Sequence, residues 1–255
     1  MVPEGRAGSH RASLWEGLTL KLRAILIQAY IVLLVIIPAV PAAAEARKAS
    51  IPEGFVYAEE SIPGLVLEMR YAGSHNFVGE PIDGYVKERC ILTKEAAQAL
   101  KKVQEELEPF GLGVKVFDCY RPQMAVDRFV RWASDLSDTR MKTEFYPDVD
   151  KKNLFSEGYI AAKSSHSRGS TVDLTLVSLK GGDRNAELDM GSSFDFFGHR
   201  SWPDYQNVGP GSRAHRLLLQ TLMKKHGFQP YAQEWWHFTL KGEPFPDTYF
   251  NFPVQ

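Results

Sequence analysis

Ser164-Ser165-His166-Ser167-Arg168-Gly169-Ser170-Thr171-Val172-Asp173 runs from a polar loop into the strand-like segment 172–177. With Val172, Leu174 and Leu176 facing a core, Asp173 falls on the alternate face, where it can aim at a shared site. Gly169 permits the tight turn that returns the chain between His166 and that strand. A second segment, Glu234-Trp235-Trp236-His237, opens the aromatic and β-branched run 235–240, which also reads as a strand. On a helix the three-residue offset would put Glu234 and His237 on one face. On a strand an odd offset points them apart, so Glu234 is expected at a bent entry to the strand. Trp235 and Trp236 read as core and as packing around the site.

Two imidazoles and one carboxylate, His166, His237 and Asp173, make a ligand set suited to a borderline cation such as zinc, with a fourth position left for water. Glu234 is then a spare acid, able to take a proton from a water attacking a carbonyl. Taken singly, each residue also has an ordinary structural role: a buried histidine is often hydrogen-bonded core, and an aspartate beside a strand is often a turn or cap residue. No spacing rule by itself forces positions 166 and 237 together.

Outward from these segments, Thr93 caps a helix expected over 94–108, with Ala96, Leu100, Val103 and Leu107 on one face. Pro122, at a first helical position, opens another with Val126, Phe129, Val130 and Ala133 inward. Ser212 is expected to cap a third through Leu218 and Leu222 to Gly227, a left-handed terminator. Strand candidates lie at 65–69, 114–117, 172–177 and 235–240. Helices and strands mix without regular βαβ alternation, so the fold class is α+β, a mainly antiparallel sheet flanked by helices.

The chain has 255 residues with 30 basic and 31 acidic side chains, a balance that offers no basic footprint for nucleic acid. Two cysteines, Cys90 and Cys119, are too few for a thiolate zinc site, and any metal falls to histidine and carboxylate. No Gly-x-Ser-x-Gly elbow supports a serine hydrolase. Arg6, Arg11, Lys21 and Arg23 precede an apolar run over 24–40 and the small-residue stretch Pro41-Ala42-Ala43-Ala44. That order reads as an export signal over 1–44, cleaved after Ala44 or Ala46, leaving 45–255 as a single domain in the periplasm or secreted. The alternative is an uncleaved anchor, since a run of about 17 apolar residues lies at the lower edge of what spans a bilayer. After cleavage no stable membrane span is expected.

Ser-Ser-His-Ser-Arg-Gly-Ser-Thr-Val-Asp-Leu-Thr-Leu (164–176) and Glu-Trp-Trp-His-Phe (234–238) resemble the two zinc motifs of the D-alanyl-D-alanine dipeptidases, the metallopeptidase family known from vancomycin resistance. The resemblance extends over residues 55–255 through Arg70-Tyr71-Ala72, Asn76-Phe77, 79–85, Asp118-Cys119-Tyr120-Arg121-Pro122, Asp189-Met190-Gly191, Phe194-Asp195-Phe196 and the closing 249–254. It implies a zinc dipeptidase domain with one zinc per chain on His166, Asp173 and His237. It implies Glu234 as base and then acid, and Arg121 as the arginine that stabilises the oxyanion, where a guanidinium binds the transition state more tightly than the substrate. Asp195 and Ser164 match positions that recognise the substrate's free amino end, and Tyr71 one that lines that pocket. The implied partner is a small dipeptide, and the implied role, given an export signal, is salvage of D-Ala-D-Ala released from cell wall. Within the resembling segment Cys90 and Cys119 either pair, adding about 3 kcal/mol through a loop of about 30 residues, or remain two buried thiols. A D,D- or L,D-carboxypeptidase acting on longer wall peptides, or an inactive zinc-binding module, are the alternative functions. Glu234 and Arg121 together argue against the module, because a structural zinc needs neither.

Overall fold

The computed structural model describes residues 51–181 and 185–255; the export signal read over 1–44 and its cleavage sites lie outside the described residues. The chain opens with β1 (Phe55–Tyr57), a single helical turn α1 (Ala58–Ser61) and the short β2 (Val66–Leu67). After a long loop come β3 (Ile91–Thr93) and α2 (Lys94–Leu107), where the Thr93 hydroxyl accepts a hydrogen bond from the Ala96 amide as the capping pattern requires. Ala96, Leu100, Val103 and Leu107 are all buried on one face of α2. A short 3₁₀ turn around Pro109 and a left-handed Gly111 then lead into β4 (Leu112–Asp118).

The remaining elements are α3 (Gln123–Ser134), the turn-length α4 (Lys142–Phe145), β5 (Thr171–Ser178), α5 (Pro210–Lys225), β6 (Phe228–Tyr231) and β7 (Glu234–Leu240). Five strands form one sheet in the order β2-β4-β5-β7-β6, and β1 pairs with β3 in a separate two-stranded ribbon. Every pairing in the larger sheet is antiparallel except β2 with β4, so the α+β, mainly antiparallel expectation holds. None of the described helices is long and apolar enough to cross a membrane.

The expectations for Ser212, Pro122 and Val130 need correction. Ser212 does not cap α5: the helix starts at Pro210, whose fixed φ suits a first helical position, and the Ser212 hydroxyl instead donates to Asp189 Oδ2 at 2.7 Å. Leu218 on that helix is partly exposed, and the buried face runs through Leu219, Leu222 and Met223. On α3, whose N-cap is Pro122 itself, Val130 is only half-buried, and Trp132 fills the core beside Val126, Phe129 and Ala133. Gly227 does adopt the left-handed conformation (φ 92°) expected of a terminator.

A disulfide joins Cys90, just before β3, to Cys119, just after β4. Both residues are fully buried. The bridge ties the two-stranded ribbon to the end of the strand that leads to Arg121. Closing a loop of 29 residues is worth about 3–4 kcal/mol in the chain-entropy picture. Alkylation under denaturing conditions, read by mass spectrometry, is expected to modify no thiol before reduction and two after it. The Cys90→Ser/Cys119→Ser variant is expected to lose about 3 kcal/mol in urea unfolding, and an unchanged midpoint would count against the brace.

Candidate metal centre

The sheet supplies the link that spacing lacks: β5 and β7 are neighbours, and their register sets Asp173 directly opposite His237. His166 comes from a 3₁₀ turn, Ser165–Arg168, in the loop before β5. Ser164 caps this turn by accepting the His166 amide at 3.3 Å, and Gly169 closes it in the left-handed region at φ 83°. A side chain at position 169 would also collide with the Phe55 ring, its Cβ lying 2.2 Å from the nearest ring carbon. The turn therefore holds the imidazole over the strand for two separate steric reasons.

His166 Nδ1 donates to the Cys119 carbonyl at 2.7 Å, which leaves the Nε2 lone pair facing inward. His166 Nε2 and His237 Nδ1 lie 3.2 and 3.1 Å from Asp173 Oδ1 and 3.2 Å from each other. These are close to the edges of a tetrahedron whose centre lies about 2.0–2.1 Å from each ligand, as zinc requires. Asp173 Oδ1 is buried with no hydrogen-bond partner among the described residues, and a buried acceptor left this way is costly unless a cation answers it. The other nitrogen of His237, Nε2, meets the Ser165 hydroxyl at 3.2 Å, fixing that ring as the Cys119 carbonyl fixes the first. The donor chemistry, the triangle and the orphaned oxygen fit a single divalent cation.

Glu234 stands at the first position of β7, with Oε2 3.4 Å from His237 Nδ1. The bend read from the sequence is real: Pro230 pairs with Phe238 but Tyr231 pairs with Glu234, so 235–237 bulge away from β6 and bring Glu234 back beside His237. Burial pushes the Glu234 carboxyl up to about 7, against the pull of the His237 ring. Trp235 and Trp236 are core residues, 2% and 1% exposed, and keep this corner dry.

Arg121 extends toward the same point. Its Nε donates to Asp118 Oδ2 at 2.9 Å, its Nη2 lies 3.6 Å from Asp173 Oδ2, and its guanidinium sits 5.0 Å from the centre of the Tyr71 ring. Asp118 is fully buried and accepts on its other oxygen from Tyr85 (2.6 Å) and from the Cys119 amide (2.9 Å), so the arginine is held from behind. Tyr71 donates its hydroxyl to Asp195 Oδ2 at 2.8 Å, and burial keeps that hydroxyl protonated. Asp195 itself is 5% exposed and adopts a left-handed backbone (φ 59°) that a non-glycine residue reaches at some cost. Burial, and after it the negative charge of Asp173, pushes its carboxyl well above the usual carboxylate range.

All eight residues singled out from the sequence, Tyr71, Arg121, Ser164, His166, Asp173, Asp195, Glu234 and His237, line one cleft of about 750 Å³. Asp118, Tyr85 and Ser165 also build the site, without a role that the sequence alone assigns. Of these only Asp118, three residues before Arg121, carried a visible signal.

A three-ligand metal position, a spare carboxylate beside it and a fixed guanidinium define the class of metal-dependent hydrolases. The family model described as D-ala-D-ala dipeptidase matches residues 52–255, and the chain belongs to that peptidase family. It is 43% identical to the D-alanyl-D-alanine dipeptidase of Enterococcus faecalis over 79% of this chain and 98% of that one. Against the enzyme of the same name from Streptomyces coelicolor it is 44% identical, covering 78% and 98% of the two chains. The Escherichia coli relative of that name is 34% identical over 70% of this chain and 80% of its own.

The hydrogen bond from His237 to Ser165 yields a direct test. Ser165→Ala leaves all three ligands in place but frees one imidazole to rotate, and metal affinity in a chelator competition is expected to fall about tenfold. An unchanged affinity would mean that the ring is oriented by its packing alone.

Proposed function

We propose that this protein hydrolyses the D-Ala-D-Ala dipeptide to two D-alanines, using one zinc ion held by His166, Asp173 and His237. The observation that carries the reading is the convergence on one cleft of the ligand triangle, a spare glutamate, a buttressed arginine and a buried aspartate. Zinc in such a three-ligand site supplies a polarised carbonyl and a water acidic enough to attack near neutral pH.

The chain's own groups account for the rest. Glu234, with its affinity for protons raised by burial, accepts the proton of the attacking water and returns it to the departing amine nitrogen, so the peptide bond breaks without releasing an amide anion. Arg121, locked to Asp118 and already charged, meets the negative oxygen that appears as the carbonyl carbon becomes tetrahedral. Its orientation before reaction means that little reorganisation accompanies the appearance of that charge. Asp195, with Tyr71 holding one of its oxygens, receives the substrate's free ammonium. A buried carboxylate that resists ionisation alone gains most from a cation delivered by the ligand. Ser164 adds the polar wall next to the His166 turn. An amino-end carboxylate favours a dipeptide over a blocked or longer chain, and this supports dipeptidase action over carboxypeptidase action on wall peptides.

We place the protein outside the cytoplasm, in the periplasm or secreted, with a role in salvage of dipeptide from cell-wall turnover. The basic, apolar and small-residue order of 1–44 supports this, as does the Cys90–Cys119 disulfide, since such bridges persist in oxidising compartments.

Zinc-loaded protein should cleave D-Ala-D-Ala and act on N-acetyl-D-Ala-D-Ala at least about 100-fold less efficiently, the cost of leaving Asp195 without its cation being about 3–5 kcal/mol. Faster cleavage of a wall pentapeptide than of the dipeptide would transfer the assignment to a carboxypeptidase. Glu234→Ala is expected to retain zinc and lose turnover. For Arg121→Ala the expected change is a fall in kcat of about 10²–10³ with little change in KM, and a change confined to KM would remove the oxyanion role.

A further inference from the structure

Arg216 lies on α5 and plays no part in the chemistry above, yet the residue is only 2% exposed, an unusual place for a guanidinium. Each of its nitrogens donates to a main-chain carbonyl: Nε to Met190 at 2.6 Å, Nη1 to Trp202 at 2.7 Å and Nη2 to Arg200 at 2.7 Å. The three acceptors lie at the two ends of one irregular segment, 190–202, and Asp195 sits near its middle. A segment without ladder partners must satisfy its buried carbonyls elsewhere, and one planar fork does so at both ends at once.

The same segment is fastened at further points. Ser212, one turn before Arg216, donates to Asp189 Oδ2 at 2.7 Å, and Asp189 Oδ1 accepts the Gly191 amide at 2.8 Å. Inside the segment Ser201 donates to the Phe196 carbonyl at 2.6 Å, and Trp235 donates to Ser192 at 2.9 Å, next to Glu234 in the chain. Asp195 holds a left-handed backbone that persists only where its surroundings over-determine it. We infer that Arg216 is a positioning residue for the amino-end pocket: by clamping Met190, Arg200 and Trp202 it sets where the Asp195 carboxylate stands, and hence the enzyme's preference for a free ammonium over a blocked amino end. This inference rests on the reading of Asp195 as the ammonium acceptor, and it adds a determinant of specificity lying on a helix outside the cleft.

Lysine at this position keeps the charge but replaces the fork with a single point donor that cannot span three carbonyls. Steady-state kinetics of zinc-loaded Arg216→Lys on D-Ala-D-Ala should show KM raised about tenfold with kcat within about threefold, and discrimination against N-acetyl-D-Ala-D-Ala reduced about tenfold. In an Asp195→Asn background the same change should alter discrimination less than about twofold, because both act through one group. A fall in kcat for both substrates alike, or full additivity with Asp195→Asn, would overturn the assignment and leave Arg216 a general stabilising residue. Should Arg216→Lys fail to fold, Ser212→Ala tests the same clamp. A roughly threefold loss of discrimination supports the assignment and an unchanged value overturns it. If Asp195→Asn alone leaves discrimination intact, the ammonium reading itself is wrong, a failure separately visible that takes the Arg216 inference with it.

Discussion

The antiparallel register of β5 on β7 is the constraint on which the molecule turns. It places Asp173 against His237 across one strand pair, and the turn before β5 then needs only one left-handed glycine to carry His166 over both. The sheet in this sense is a jig: a shift of one residue in register would send Asp173 to the opposite face and dissolve the triangle. The bulge at 235–237 performs the complementary task, turning Glu234 back toward a histidine from which a regular strand would point it away.

Around that centre, the charged groups are tied to one another and to neighbouring hydroxyls. Arg121 is neutralised from behind by Asp118, itself held by Tyr85, while its Nη2 lies near Asp173. Asp195 accepts one hydroxyl and forms no ion pair among the described residues. Asp173 Oδ1 has two ring nitrogens around it and no hydrogen bond among the described residues. A buried polar group left unsatisfied costs stability, and Asp173 Oδ1, left so in the cleft, marks where a ligand is expected to complete it. The disulfide and the Cys119 carbonyl lie directly behind His166, so covalent bracing and ligand orientation share one residue.

Much of this was legible beforehand, and the reasons differ by residue. Thr93 and the α2 face follow from capping and helical period, and Gly169 and Glu234 follow from backbone requirements that few residues or geometries meet. The union of 166 with 237 is a matter of long-range register, which no local pattern encodes, and only the resemblance of the two motifs to a known family brought them together in the sequence. β1 and β3 are three residues each, too short for alternation to show, and Pro230 disguises β6, an edge strand where a missing amide is tolerated. Ser212 misled because serine is a common cap, whereas Pro210 takes precedence at the first helical position. Nothing in the local sequence marks Arg216, because its acceptors are main-chain carbonyls of a segment that precedes it in the chain.

X-ray absorption at the zinc edge of the metal-loaded protein addresses the centre itself. Four nitrogen and oxygen ligands at about 2.0–2.1 Å, with the multiple-scattering signature of two imidazoles, are the expected result. A six-oxygen shell, or a signature of fewer than two imidazoles, would contradict it.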